Sequence, residues 1–141
     1  MTALDLSKYI VSKCVNDGCP ISNLQLQKIL YYIQKECLQT RNEVMFYDDI
    51  EAWQFGPVVP NVYYYFCGFG AMPISSPFLC DVSLNDKDSA IVDNIVKNKR
   101  TLDPWEMVNE THKRGGAWDN TYKDGNGNRS IIPIELIKAE R

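Results

Sequence analysis

The sequence has one histidine, His112, and no Cys-x-x-Cys pair anywhere in its 141 residues, so the ligand spacings of a zinc site are missing. Glycine patterns that cradle phosphate are missing too. No stretch approaches the roughly 18 consecutive apolar residues of a membrane span, and the first residues lack a basic segment followed by an apolar run. The reading is a cytoplasmic chain with no membrane partner. Positive charge is not in surplus either: 15 Lys and Arg stand against 18 Asp and Glu, a formal net charge of −3, which argues against nucleic acid as the main ligand. No internal repeat or low-complexity segment interrupts the chain. The cysteines, Cys14, Cys19, Cys37, Cys67 and Cys80, are five and scattered, so they cannot all pair within one chain and are expected as reduced thiols. Cys14 and Cys37 fall on apolar helical faces, where a thiol packs as a small hydrophobe.

What is present fits one packed domain over residues 1–141: 45% of residues are apolar and 23% charged, close to the globular average. The charge is uneven. Residues 1–96 carry 6 basic and 11 acidic side chains, a sum of −5, and residues 97–141 carry 9 and 7, a sum of +2. Such a split either steers a charged protein partner or is an ordinary solvated surface.

Local signals predict a mainly α fold, a single compact helical domain of about five to seven helices with one short strand or hairpin near residues 46–55. Thr2 caps a first helix over Ala3–Asn16, with Leu6, Tyr9, Ile10 and Cys14 as its buried stripe. Ser22 and Gln25 form a capping box for a second helix reaching about Thr40. Leu26, Ile29, Leu30, Ile33 and Cys37 repeat on one side of it and Leu24, Tyr31 and Leu38 on another, which predicts a central helix. Ile50, Ala52 and Gln54 alternate with Glu51, Trp53 and Phe55 as a short strand, and Gly56-Pro57 is read as a break. Pro60 opens a third helix, residues 69–83 read as a loop, and Asn85 caps a fourth helix over Asp86–Lys97. Asp103, Pro104 and Glu106 open a fifth, ending at Gly115-Gly116; residues 117–123 form one or two helical turns, 124–130 a polar turn, and Pro133 starts a terminal helix.

Three segments resemble the Panacea, or SocA-like, antitoxin domain. Leu26-Gln27-Lys28-Ile29-Leu30-Tyr31-Tyr32-Ile33-Gln34 is similar to the family's "LQKLLYYxQ" helix. The stretch from Ile50 to Pro60 is similar to its "xEAWxxGPVxP" segment, with Tyr63 following, and Thr111-His112 with Trp118 is similar to its "TH…W" element. The resemblance implies a cytoplasmic protein, common in prophages and mobile elements, that binds a partner toxin directly and works without catalysis or cofactor. One family member is an adaptor that delivers its toxin to a Clp-type protease. Inhibition of a host defence protein is the nearest alternative. The residues it points to for partner binding are Tyr31, Tyr32, Trp53, Phe55, Gly56, Pro57, Val58, Tyr63, His112 and Trp118.

Each constellation also has a plainer reading. Trp53, Phe55, Tyr63, Tyr64 and Tyr65 crowd around Gly56-Pro57 and either fill the core or anchor an interface, but three consecutive tyrosines cannot all face inward from one helix. His112 reads as a packed, hydrogen-bonded side chain; a small hydrolase would need it to meet one of the cysteines in space. Asp124, Asn126, Asn128 and Glu135 fall at positions one, three, five and twelve of a calcium loop, but the sixth position, Gly in such loops, is Arg129, so a polar turn is favoured.

Overall fold

The computed structural model describes residues 1–75 and 82–141. Its centre is helix α2, Asn23–Arg41, whose start is fixed locally: Ser22 accepts from the Gln25 amide while the Gln25 side chain accepts from the Ser22 amide. Around α2 pack α1 (Ala3–Asn16), α3 (Pro60–Phe66), α4 (Asp86–Lys99), α5 (Pro104–Thr111) and α7 (Ile134–Ala139). The short α6, Ala117–Tyr122, lies between α7 and the strands. The predicted caps Thr2, Asn85 and Asp103 each accept a backbone N–H at the start of their helices. α2 is apolar on two sides, as predicted: Leu26, Ile29, Leu30, Ile33 and Cys37 are buried, and so are Tyr31 and Leu38, while Leu24, placed with the latter two from the sequence, is only half-buried. On α1, Leu6, Ile10 and Cys14 are buried and Tyr9 is half-buried, its hydroxyl donating to Asp93 of α4 at 2.9 Å.

The strand region differs from the sequence reading. Pairing covers only β1, Glu51–Trp53; Gln54-Phe55 is a two-residue turn, and Gly56-Pro57, read as a break, belongs to β2, Gly56–Val58. Proline is tolerated because the strands are antiparallel with Ala52 opposite Pro57, and Ala52 turns its own backbone groups the other way. Its N–H donates to the Ser130 carbonyl at 2.9 Å and its C=O accepts from the Arg129 N–H at 2.7 Å. Residues 129–132 therefore flank β1 on its second side, joined by an Ile132 N–H to Ile50 C=O bond of 2.8 Å. The polar turn predicted for 124–130 is present, a 3₁₀ turn over Lys123–Gly125 followed by turn at 126–129, and it delivers the chain to the edge of β1.

The fifth helix also stops early, at Thr111. His112 caps it, and residues 113–116 turn so that α6 can begin at Ala117 with its amide held by the Glu140 carboxylate at 2.8 Å. A short 3₁₀ turn, Cys67–Phe69, leads into the segment read as a loop over 69–83, where Pro73 bridges to Ser22; the part of that loop over 76–81, with Cys80, lies outside the described residues.

Candidate functional site

One face of α2 carries polar side chains that are nonetheless buried. Asn23 donates to the Tyr63 carbonyl at 3.0 Å, Gln27 donates to Asn23 at 3.0 Å and accepts from the Val59 N–H at 2.9 Å, and the Lys28 ammonium donates to the Pro57 carbonyl at 3.0 Å. Backbone groups that the hairpin and the start of α3 would otherwise bury unpaired are thereby satisfied from the helix. The fit is close at Gly56, where φ is +115°: a Cβ there would lie 2.7 Å from Lys28 Cε and 2.9 Å from Thr111 Oγ1. Glycine is required on both counts.

The clamp leaves an open cleft of about 460 Å³ between α2, the hairpin, α3 and the 128–129 turn. Trp53, Phe55 and Tyr63 supply its aromatic surface, and Asn23, Gln27 and Lys28 lie at its α2 side. Trp53 meets Tyr63 edge-on at a centroid distance of 5.1 Å and donates its indole N–H to Glu51 at 2.9 Å. The Arg129 guanidinium lies 4.1 Å over the Trp53 ring and donates to the Tyr64 hydroxyl at 3.1 Å. Phe55 and Trp105 extend the aromatic surface outward, edge to face at 5.4 Å and 47% and 57% exposed.

Behind the hairpin stands a second aromatic group. Trp118 is buried, donates its indole N–H to the Trp53 carbonyl at 2.7 Å, and stacks flat on His112 at 3.7 Å and on Tyr122 at 4.6 Å. Burial, and then the nearby Lys28 charge, pull the His112 imidazole below its ordinary value. The charges acting on His112 are those of Lys28 and Asp119; it is packed as expected, a stacked plate beneath the hairpin, but among the described residues its Nε2 lacks the expected hydrogen bond because the ring is buried flat against Trp118.

The ten residues singled out from the sequence separate into groups. Trp53, Phe55, Val58 and Tyr63 line the cleft; Gly56 and Pro57 are buried and shape it; His112 and Trp118 support it from behind. Tyr31 lies in the core, and Tyr32 lies elsewhere, donating to Glu110 with Lys99 4.3 Å over its ring. Sequence reasoning passed over Asn23, Gln27, Lys28 and Arg129. Gln27 and Lys28 stood inside the quoted helix motif but were given no role of their own. Of the calcium-loop positions, Asp124 sits in a 3₁₀ turn and Glu135 in the first turn of α7, and no group of three His, Cys, Asp or Glu side chains suited to a metal occurs among the described residues. Among those residues, no helix is long and apolar enough to cross a membrane.

These features define a mainly helical domain whose central helix holds a two-stranded hairpin, and beside it an aromatic cleft, through buried polar side chains. The chain belongs to the SocA-like antitoxin family, since residues 26–119 match the family described as "Antitoxin SocA-like, Panacea domain". It is 27% identical over 125 residues to Antitoxin SocA of Caulobacter vibrioides (strain NA1000 / CB15N), a match covering 81% of this chain and 66% of that protein. The chain thus spans just under two-thirds of the length of this curated relative. No solved structure matches it.

Proposed function

We propose that the protein is a binding module that neutralises a partner toxin by direct contact, with the hairpin cleft as the contact surface. The observation that carries this reading is the aromatic surface of the cleft, Trp53, Phe55 and Tyr63, which is partly open to solvent and is extended outward by Trp105 packed edge to face on Phe55. Aromatic side chains in this setting are the usual anchors of protein interfaces. They are held in place here by the α2 clamp, so little ordering entropy is lost on binding. Membership of an antitoxin family makes a toxin the natural partner. Occlusion is the simplest form of the activity; delivery of the bound toxin to a Clp-type protease is a further step of the same reading.

The test is affinity capture from the native host with identification of bound proteins, followed by growth assays of the captured partner expressed with and without this chain. A small partner that is toxic alone and harmless together supports the proposal. A component of host immunity replaces the toxin by a defence protein as the target. Trp53→Ala is expected to weaken capture more than tenfold while the variant stays folded, because the ring is only half-buried and its backbone carbonyl still receives the Trp118 bond. Unchanged affinity removes the cleft as the contact surface. Loss of toxin when purified Clp-type protease is added separates delivery from occlusion.

A further inference from the structure

The cleft carries charge of the sign opposite to that of the molecule. The chain has a net charge of −3, but the described side chains lining the cleft include two cations, Lys28 and Arg129, and no Asp or Glu. Lys28 is 0% exposed, and its ammonium makes one hydrogen bond, to the Pro57 carbonyl at 3.0 Å. None of the ion pairs among the described residues includes it. An ammonium has three donors, so the protonated form of this buried side chain lacks both a counter-ion and full hydrogen bonding among the described residues. Arg129 stands at the mouth of the cleft with a positive φ of 67°, its guanidinium over Trp53 and bonded to a neutral hydroxyl, also outside any ion pair among the described residues. Two cations outside any ion pair among the described residues thus flank one aromatic surface, and Glu51, whose charge also acts on Arg129, is engaged by the Trp53 indole N–H.

We infer that the cleft seats an acidic segment of the partner protein, an Asp or Glu side chain next to an aromatic or aliphatic one. The apolar side chain lies on Trp53, Phe55 and Tyr63, and the carboxylate faces Arg129 at the mouth and favours the protonated form of Lys28 beneath. This inference rests on the toxin-binding reading and specifies the partner chemistry of the same site. A peptide segment is favoured over nucleic acid because the cations are only two and the chain as a whole repels phosphate. The cleft volume of about 460 Å³ lies within the range that holds a small ligand or a few side chains.

The experiment pans a displayed library of random dodecapeptides on the full chain and titrates the selected peptides by fluorescence anisotropy. Enrichment of Asp or Glu beside Phe, Trp, Tyr or Leu is expected, and replacing that acid by its amide should weaken binding at least tenfold. Arg129→Asp should cost as much, and Asp tolerates the positive φ, so this variant tests the proposal even if Lys28→Met disturbs the hairpin. Peptides without acid enrichment, an amide that binds as well as the acid, or an indifferent Arg129→Asp variant would each overturn the inference, as would displacement of the peptides by a random oligonucleotide. A captured toxin whose binding is lost with Trp53→Ala but kept with Arg129→Asp overturns the acidic specification and leaves the toxin-binding reading standing.

Discussion

Lys28 lies wholly inside the protein, and burial lowers its ammonium from the ordinary 10.5 to about 7. The sign of the consequence follows from proton counting. Between pH 7 and 10.5 the unfolded chain holds a proton that the folded chain has given up, so the stability linked to Lys28 rises with pH across that window and is lost as pH falls back toward 7. His112, also lowered, acts in the same direction below 6.5. Thermal melting of the native chain and of Lys28→Met should therefore diverge between pH 7 and 9, the native chain gaining relative to the variant. A pH-independent difference would remove the account of a buried, unpaired ammonium. Gly56 gives a second prediction at this scale. Gly56→Ala must hold φ +115° and place a methyl group within 2.7 Å of Lys28 Cε, so a loss of at least about 2 kcal/mol is expected in denaturant unfolding. A variant as stable as the parent would mean that the hairpin yields locally at little cost.

α2 and the hairpin were legible in the sequence to different degrees, and the physical reason is range. The ends of α1, α2 and α4 are set by caps within a few residues of the helices they start, so Thr2, Ser22 with Gln25, and Asn85 announced them. β2 depends on a backbone conformation at Gly56 and on residues 129–132 arriving from far along the chain to flank β1, and neither leaves a local pattern. The cleft was half legible in the same way. Its aromatic side chains were conspicuous near Gly56-Pro57, whereas the burial of Gln27 and Lys28 shows only once the hairpin is laid over them. Gln34 belongs to the same class of residue on α2. It is 2% exposed, accepts from the Met45 N–H at 2.8 Å and donates to the Phe46 carbonyl at 2.9 Å, fastening the segment that leads into β1. Gln34→Leu keeps the volume but strands three buried backbone groups, the Met45 and Phe46 N–H and the Phe46 C=O, at a cost of roughly 2–4 kcal/mol in urea unfolding. Hydrogen exchange at the Met45 amide should accelerate in step; continued protection there would show that another acceptor takes over.

At the scale of the whole molecule, residues 129–140 tie the hairpin, α2 and α6 to one another. Arg129, Ser130 and Ile132 bond to the backbone of residues 50 and 52, and at the other end Glu140 is held from three directions. Its carboxylate accepts from the Ala117 N–H at 2.8 Å and pairs with Lys35 of α2 at 3.0 Å, while its backbone carbonyl accepts from Gln39. The Glu140 side chain is 3% exposed and that of Lys35 18%, so the pair is worth less than a fully buried one but more than a surface one. Glu140→Ala leaves the first amide of α6 without its acceptor and Lys35 without its counter-ion, and should cost about 1–3 kcal/mol. Protection from hydrogen exchange should fall first in α6 and α7, and partner affinity should fall less than for Trp53→Ala, because Arg129 keeps its backbone bond to Ala52. Glu140→Gln separates the two contributions, since an amide oxygen still accepts from Ala117 but carries no charge toward Lys35. An intermediate loss is expected; a Gln variant as unstable as the Ala variant would assign the whole effect to the ion pair, and one as stable as the parent would assign it to the α6 cap.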